Sequence, residues 1–283
     1  MSRPRPRIIV INLDSDTARL ATISSALATA GLTAERFSAV DGRALTPAER
    51  QGYDPHHARV FGGSSLTPGL LGNYLSHVSI WRRLAESEDE CFLIFEDDAE
   101  PAPLLSEFID RIPGLRPGWD VILMSEGCDG SVPSKAKIPL YTYSLGGVIS
   151  IVRHAYPGQL ATAYLISKRG ARKLTKAALP ILSAIDVWTY WFWRHGVVIY
   201  RTLPPLAHHS MRHGSWTSPS TEIEFNQMKY RLNAVDQLRR GTYRYGMYII
   251  GMFRISIAWL GERILAWRSS LLVRADGTRR FMI

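Results

Sequence analysis

The sequence predicts one α/β domain followed by a basic helical tail, and three features carry that expectation. Ile8-Ile9-Val10-Ile11 and Phe92-Leu93-Ile94-Phe95 are short, continuous apolar runs of the kind that form strands buried on both faces. Between the first run and a second candidate strand, Phe37-Ser38-Ala39-Val40, apolar residues recur at Leu20, Ile23, Leu27 and Ala30, the spacing of a helix. Strand, helix and strand at this separation predict a parallel βαβ unit. The third feature is charge: residues 226–283 hold eleven Lys/Arg against three Asp/Glu, so most of the chain's net +9 lies in its last fifth.

The elements follow in order. After the first strand, Asn12-Leu13-Asp14-Ser15 turns the chain into the helix that Gly31 is placed to end. Thr46-Pro47-Ala48-Glu49 reads as a capping box with proline at the first helical position, and the Gly-, His- and Ser-rich residues 51–66 read as a loop. Thr67-Pro68 opens a helix whose apolar residues Leu70, Leu71, Tyr74, Leu75, Val78, Trp81, Leu84 and Ala85 follow helical spacing. The run 92–95 then leads straight into Glu96-Asp97-Asp98. Further strands are expected at Val121–Met124, Tyr164–Ile166 and Val197–Tyr200, and a helix at Lys168–Ala178 capped by Ser167; Lys135–Tyr156 reads as an irregular or β-rich insertion. The division is a domain over 1–225 and a tail over 226–283.

At 283 residues, 46% hydrophobic and 21% charged, the chain is long and apolar enough for a full core, which excludes disorder as its main state. Two cysteines, Cys91 and Cys128, make no disulfide framework, and Cys91 reads as a buried thiol in a reducing compartment. The apolar stretch at 8–11 is too short for a secretory h-region, so a cytoplasmic protein is expected. Residues 8–225 are close to neutral, which argues against a nucleic-acid partner. In the tail, Arg254, Glu262 and Arg263 interrupt the apolar stretch 245–267. Charges there argue against a spanning helix and for a basic amphipathic helix on an anionic membrane surface, at the inner face of the inner membrane; packing on protein is the competing reading.

Glu96-Asp97-Asp98 is the sharpest chemical feature. Three adjacent carboxylates at the carboxyl end of a buried strand repel one another unless water or a cation intervenes. Mn²⁺, or alternatively Mg²⁺, favours such oxygen ligands and keeps positions open for phosphate. Ligands of open α/β sheets gather at that edge. Asn12 and Asp14 share the topological position after the first strand, where Asp14 could equally cap the next helix. Asp41-Gly42 reads as a turn, and His77 beside Ser76 as a helix residue bordering the core. A late histidine such as His209, in the cluster with His208 and His213, could complete a metal site begun at Asp98. Asp186, among apolar and aromatic neighbours, suits a general base with a raised pKa, or a helix cap.

In this order the fragments resemble glycosyltransferase family 25, which includes bacterial lipooligosaccharide galactosyltransferases and procollagen galactosyltransferases. They are Val10-Ile11-Asn12-Leu13-Asp14 with Arg19, Ala39-Val40-Asp41-Gly42, Leu66 to His77 with Trp81, Ile94-Phe95-Glu96-Asp97-Asp98, Trp119-Asp120, Ala163 to Ala171 and Pro204-Pro205-Leu206, together spanning roughly residues 8–215. The chain departs from the family at Leu70-Leu71, often Glu-Ile, at Asn73-Tyr74, often Cys-Ala, and near His209, where a glutamine is common. The resemblance implies a GT-A type fold, a UDP-sugar donor, a divalent metal and an inverting hexosyl transfer, galactose being the family default. It further implies that Asn12, Asp14, Arg19, Asp41, Gly42, Ser76, His77, Glu96 and Asp97 serve the nucleotide-sugar. Asp98, with Glu96, would serve the metal, and Asp186 would be the base; His209 as a further metal ligand is read from its own place in the late loop. The acceptor implied is a lipopolysaccharide, lipooligosaccharide or other lipid-linked glycan. The alternative is a catalytically inactive binding or adaptor protein of the same fold. A hydrolase or nucleotidyltransferase is disfavoured because no Gly-rich phosphate loop follows the first strand.

Overall fold

The structure is a computed structural model that describes residues 5–115, 118–126, 139–154, 161–210 and 232–275. Strand β1 (Arg7–Asn12) lies between β2 (Glu35–Ser38) and β3 (Cys91–Glu96), parallel to both. Strand β9 (Ala163–Ser167) inserts antiparallel between β3 and β5 (Val121–Leu123). Beyond β5 come β10 (Ile199–Leu203), parallel to it, and then the antiparallel hairpin β8 (Ile149–His154) and β7 (Pro139–Gly146) at the edge. The eight-stranded order is therefore β2-β1-β3-β9-β5-β10-β8-β7. A small second sheet joins β4 (Ala99–Pro101), β11 (Ala207–His209) and β6 (Ser125–Glu126).

Alternation along the buried strands divides the core in two. Ile9, Ile11, Phe92 and Ile94 face the layer built on α3 (Pro68–Glu86) and α5 (Lys168–Ala177), while Ile8, Val10, Leu93 and Phe95 face α1 (Thr17–Thr29) and α4 (Leu105–Arg111). This is the mixed α/β sheet flanked by helices that the sequence predicts. Helix α3 starts as expected, with Thr67 Oγ1 accepting from Leu70 N at 3.1 Å and Pro68 in the first turn. Helix α1 ends at Gly31, whose φ of 71° lets Leu32 N reach Leu27 O and Gly31 N reach Ala28 O.

Several expectations shift. The second strand covers 35–38 rather than 37–40, because Val40 N is taken by Ser76 Oγ at 2.8 Å instead of a neighbouring strand. The capping box at Thr46 forms, with Thr46 N donating to Glu49 Oε2 at 2.8 Å, but it opens only a series of turns. The loop expected over 51–66 contains helix α2 (Pro55–His57), capped by Asp54, and a wide π-type turn over Ala58–Gly62. The insertion at 135–156 is, in its described part, the β7–β8 hairpin. Cys91 is buried; Cys128 and His213 lie outside the described residues.

Short helices α6 (Ile185–Tyr190) and α7 (Phe192–His195) precede β10. The tail forms one 42-residue helix, α8 (Ala234–Ala275). Its first turns dock on the domain. The Tyr243 ring packs 4.7 Å from Phe61 and 6.3 Å from Trp191, and its hydroxyl accepts from Arg194 at 3.0 Å. Further along, large apolar side chains such as Tyr245, Ile249, Phe253 and Ile257 are exposed. Among the described residues no helix is long and apolar enough to cross a membrane.

Candidate active site

A cleft of about 290 Å³ opens at the carboxyl ends of β1 and β3, where an α/β sheet collects its ligands. The loop after β2 forms one side, and two close backbone approaches set its position. A Cβ on Gly42 would lie 1.7 Å from Pro68 O, and one on Gly72 would lie 2.3 Å from Val40 O, so the 39–42 loop rests directly on the first turns of α3. Ser76 fastens the contact, accepting from Val40 N and donating to Gly72 O, both at 2.8 Å.

Behind the cleft, Asn12 and Arg19 hold Asp97. Asn12 Nδ2 donates to Asp97 Oδ2 and to Asp16 O, each at 2.8 Å, and Arg19 reaches Asp97 Oδ1 at 2.9 Å. Burial raises the Asp97 pKa above its ordinary value, the Asn12 and Arg19 hydrogen bonds opposing it. Asp41 lines the front, gripped by Arg43 through two hydrogen bonds of 2.9 and 3.0 Å that lower its pKa.

Asp98 differs from its neighbour. Its Oδ1 is buried without a hydrogen-bond donor; the His209 ring stands beside it, with Nδ1 at 3.4 Å, and Arg19 approaches the other oxygen, Oδ2, at 3.6 Å. Contact with Asp98 raises the His209 pKa. His209 arrives on β11, which pairs antiparallel with β4, placing His209 opposite Ala99. Asp186, in the first turn of α6, accepts from Ala161 N at 2.8 Å. Burial, reinforced by the negative charge of Glu96, raises its pKa to about 6. It does not cap α6, whose N-cap is Ala184.

Five carboxylates (Asp41, Glu96, Asp97, Asp98 and Asp186) line the cleft against two guanidiniums, those of Arg19 and Arg43. An anionic diphosphate would be repelled here unless a cation balanced the excess. The buried Asp98 oxygen is a donor that suits Mn²⁺ or Mg²⁺, ions commonly held by one or two protein ligands plus substrate phosphates, and the imidazole beside it is a nitrogen donor that Mn²⁺ accepts more readily than Mg²⁺. The residues therefore fit a metal, as a pair. Among the described residues no three His, Cys, Asp or Glu side chains converge on one point, so the expected trio of Glu96, Asp98 and His209 is not preassembled. Glu96 Oε1 instead accepts from Asn73 Nδ2 at 2.8 Å and faces His77 Nε2 at 3.3 Å.

Of the residues anticipated at the site, Asn12, Arg19, Asp41, Gly42, Ser76, Glu96, Asp97, Asp98, Asp186 and His209 line the cleft. Two do not. Asp14 is neither a lining residue nor the helix cap: its largely exposed carboxylate accepts from Arg36 and Ser38, while Asp16 caps α1 by accepting from Arg19 N at 3.1 Å. His77 is completely buried under the floor. Arg43, Asn73 and Thr162 also line the cleft and were not anticipated. Asn73 carried a signal, since it stands where the resembled family often has Cys.

Residues 5–112 match the sequence profile of "Glycosyltransferase family 25 (LPS biosynthesis protein)". A glycosyltransferase 25 family member of Drosophila pseudoobscura pseudoobscura is 36% identical over 189 residues, 64% of this chain and 28% of the relative. Procollagen galactosyltransferase 1 of Danio rerio is 28% identical over 154 residues, 50% of this chain and 23% of the relative. The inactive glycosyltransferase 25 family member 3 of Mus musculus is 26% identical over 222 residues, 71% of this chain and 36% of the relative. The matched region thus spans about a quarter to a third of these relatives' length. The ordered motifs, now gathered around one cleft, agree with the profile match, and over those residues the chain is similar to glycosyltransferase family 25.

Proposed function

We propose that the chain is a metal-dependent, inverting glycosyltransferase that moves a hexose, galactose by family default, from a UDP-sugar to a lipopolysaccharide, lipooligosaccharide or other lipid-linked glycan. The observation that carries this reading is that Asp98 with His209 and Asp186, distant in sequence, line the same cleft. Asp98 and His209 would hold Mn²⁺ or Mg²⁺, which when bound offsets the negative charge developing on the UDP leaving group. Asn12, Arg19, Asp97 and the Asp41–Arg43 pair shape the nucleotide's side of the cleft, and Glu96 accepts a hydroxyl of the donor. Asp186 takes the acceptor hydroxyl's proton as that oxygen bonds to the anomeric carbon and the bond to UDP breaks. A pKa of about 6 leaves it ionised at neutral pH yet more basic than an ordinary aspartate.

The test is UDP release from a panel of UDP-sugars with Mn²⁺, repeated with EDTA. Release confined to one donor and abolished by EDTA is the expected result. Binding without turnover under every condition would favour the inactive adaptor, a state with precedent in the inactive mouse relative. No binding of any UDP-sugar would overturn the donor assignment.

The tail suggests how the acceptor is met. Exposed Leu238, Tyr245, Ile249, Phe253, Ile257 and Leu260 lie on a helix with an excess of arginine, the composition of a helix lying on anionic lipid. The chain should sediment with phosphatidylglycerol vesicles and not with phosphatidylcholine vesicles, and high salt should release it. Equal sedimentation with both, or with neither, argues against the anionic-surface reading.

A further inference from the structure

Beneath the cleft floor lies a set of polar side chains that the proposed reaction does not use. Trp81, His77 and Tyr164 are all buried, on α3 and β9, in the larger of the two apolar cores. Trp81 Nε1 donates to the Tyr164 hydroxyl at 2.9 Å, and that hydroxyl lies 2.7 Å from His77 Nδ1. The other ring nitrogen, Nε2, is 3.3 Å from Glu96 Oε1. Apolar residues would fill this space at lower desolvation cost, and a buried polar chain of this kind is tolerated only when every member is satisfied.

Proton counting gives the chain a direction. The indole nitrogen can only donate, so the Tyr164 oxygen is an acceptor there. The phenolic proton needs an acceptor of its own, and among the described residues His77 Nδ1 is the one within reach. Nδ1 is therefore unprotonated, and the ring proton sits on Nε2, aimed at Glu96. Asn73 Nδ2 donates to the same oxygen at 2.8 Å, so Oε1 is held from two sides. The second carboxylate oxygen of Glu96 has no hydrogen-bond donor among the described residues, and Glu96 lines the cleft.

We propose that Tyr164 and His77 are positioning residues. With Trp81 they form a one-way hydrogen-bond relay that fixes the Glu96 carboxylate so that its second oxygen receives a hydroxyl of the sugar-nucleotide. The proposal rests on the donor-binding role given to Glu96 above. It assigns functions to two side chains that never touch the ligand, and it explains why a histidine and a tyrosine are buried where leucine and phenylalanine would pack.

The experiment uses the full chain and has two arms. In the first, nitrogen-15 NMR of the labelled protein reads the His77 tautomer, compared with Tyr164→Phe. A fixed Nε2–H ring in the wild type that loses its fixed tautomer in Tyr164→Phe is expected; an Nδ1–H ring, or a wild-type ring averaging between tautomers, overturns the relay. In the second arm, His77→Leu and His77→Gln are compared for UDP-sugar binding by calorimetry and for turnover, at matched melting temperature. Glutamine restores an N–H near the position of Nε2, and leucine does not. His77→Leu is expected to raise the donor Kd and KM roughly tenfold, the size of one lost charged hydrogen bond, with a smaller change in kcat, and His77→Gln to recover most of that loss. Equal weakening by the two variants means His77 only packs, and overturns the positioning role. Should His77→Leu not fold, Tyr164→Phe takes its place in the binding comparison. A wild type that binds no UDP-sugar removes the donor reading alone, and the relay then stands or falls on the tautomer.

Discussion

The two sides of the cleft both present aspartates and have opposite character. On one side Asn12, Arg19 and Asp97 close on one another: Asn12 binds Asp97 and the Asp16 carbonyl, Arg19 binds Asp97, and Asn12 Oδ1 in turn accepts from Arg36 at 3.1 Å. On the other side Asp98 keeps a buried oxygen without a hydrogen-bond donor, and burial raises the Asp186 pKa to about 6. Asp97 and Asp98 are adjacent in sequence, yet both Asp97 oxygens are held by hydrogen bonds, whereas the Asp98 carboxylate has, among the described residues, only the longer approaches of His209 at 3.4 Å and Arg19 at 3.6 Å. The open side gathers carboxylates with less compensation, which is the usual condition of a functional site rather than of a scaffold.

Substitution on the open side should therefore remove activity and spare the fold. Asp98→Ala is expected to lower kcat at least 10³-fold, as roughly 4 kcal/mol of lost leaving-group stabilisation implies. Its midpoint in urea should stay at or above that of the wild type, because a buried carboxylate oxygen without a donor is removed. Retained turnover with metal still bound would remove Asp98 from the site. Asp186→Asn should cost about 10²–10⁴-fold in kcat/KM, the range for loss of a general base. Its pH behaviour separates base from strut. A base acts in its ionised form, so in that role kcat/KM should climb with pH and level off above about 6, and Asp186→Asn should lose that rise. For stability the sign is opposite. A folded-state pKa raised from 3.8 to about 6 means the folded chain binds this proton more tightly, so the group's ionisation between about pH 4 and 6 weakens folding. At pH 7, Asp186→Asn should be as stable as the wild type or more so, by thermal melting.

Much of this was legible in the sequence, for identifiable reasons. Local patterns announce β1, β3 and α3: a continuous apolar run, a capping threonine followed by proline, and carboxylates following a buried strand. The alternation of Ile8 to Ile11 even assigns each residue to a core layer. What the sequence hides is fixed by long-range pairing. Strand β9 enters between β3 and β5 against their direction, and only that insertion brings Tyr164 under Glu96 and Thr162 to the rim. His209 reaches Asp98 through the β4–β11 pairing, which no local period encodes. The choice between Asp14 and Asp16 as helix cap is a two-residue difference in where α1 begins, and helix boundaries are the least certain part of pattern reading. His77 divided the two readings: its helical position borders the core, where the structure has it, whereas the resemblance grouped it with the nucleotide-sugar.

Substitution on the closed side should reverse the pattern. Arg19→Met keeps the length and apolar stem of the side chain but leaves Asp97 buried without its cation, since both side chains are close to fully buried. Breaking a buried pair in this way costs about 3–5 kcal/mol, a loss visible in the urea midpoint. At a temperature where the variant remains folded, turnover should fall far less than in Asp98→Ala. A variant that is stable but inactive would show that Arg19 meets the donor's phosphates directly, and the contrast between the two sides would then be one of degree.

The smallest effect is expected at Asp14, which the sequence placed beside Asn12 as a donor-binding candidate. The structure puts its carboxylate largely in solvent, accepting from Ser38 at 2.6 Å and from Arg36. Arg36 is the link to the site, since its Nε donates to Asn12 Oδ1, but Asn12 is held independently by Asp16 and Asp97. Exposed ion pairs contribute little because water screens them and ordering two flexible side chains opposes them. Asp14→Ala should therefore leave kcat/KM within about twofold and shift the melting temperature by no more than a degree or two. A tenfold rise in donor KM would mean that Arg36 must be held for the ligand to bind, moving the boundary of the site outward from Asn12 to the β2 edge of the sheet.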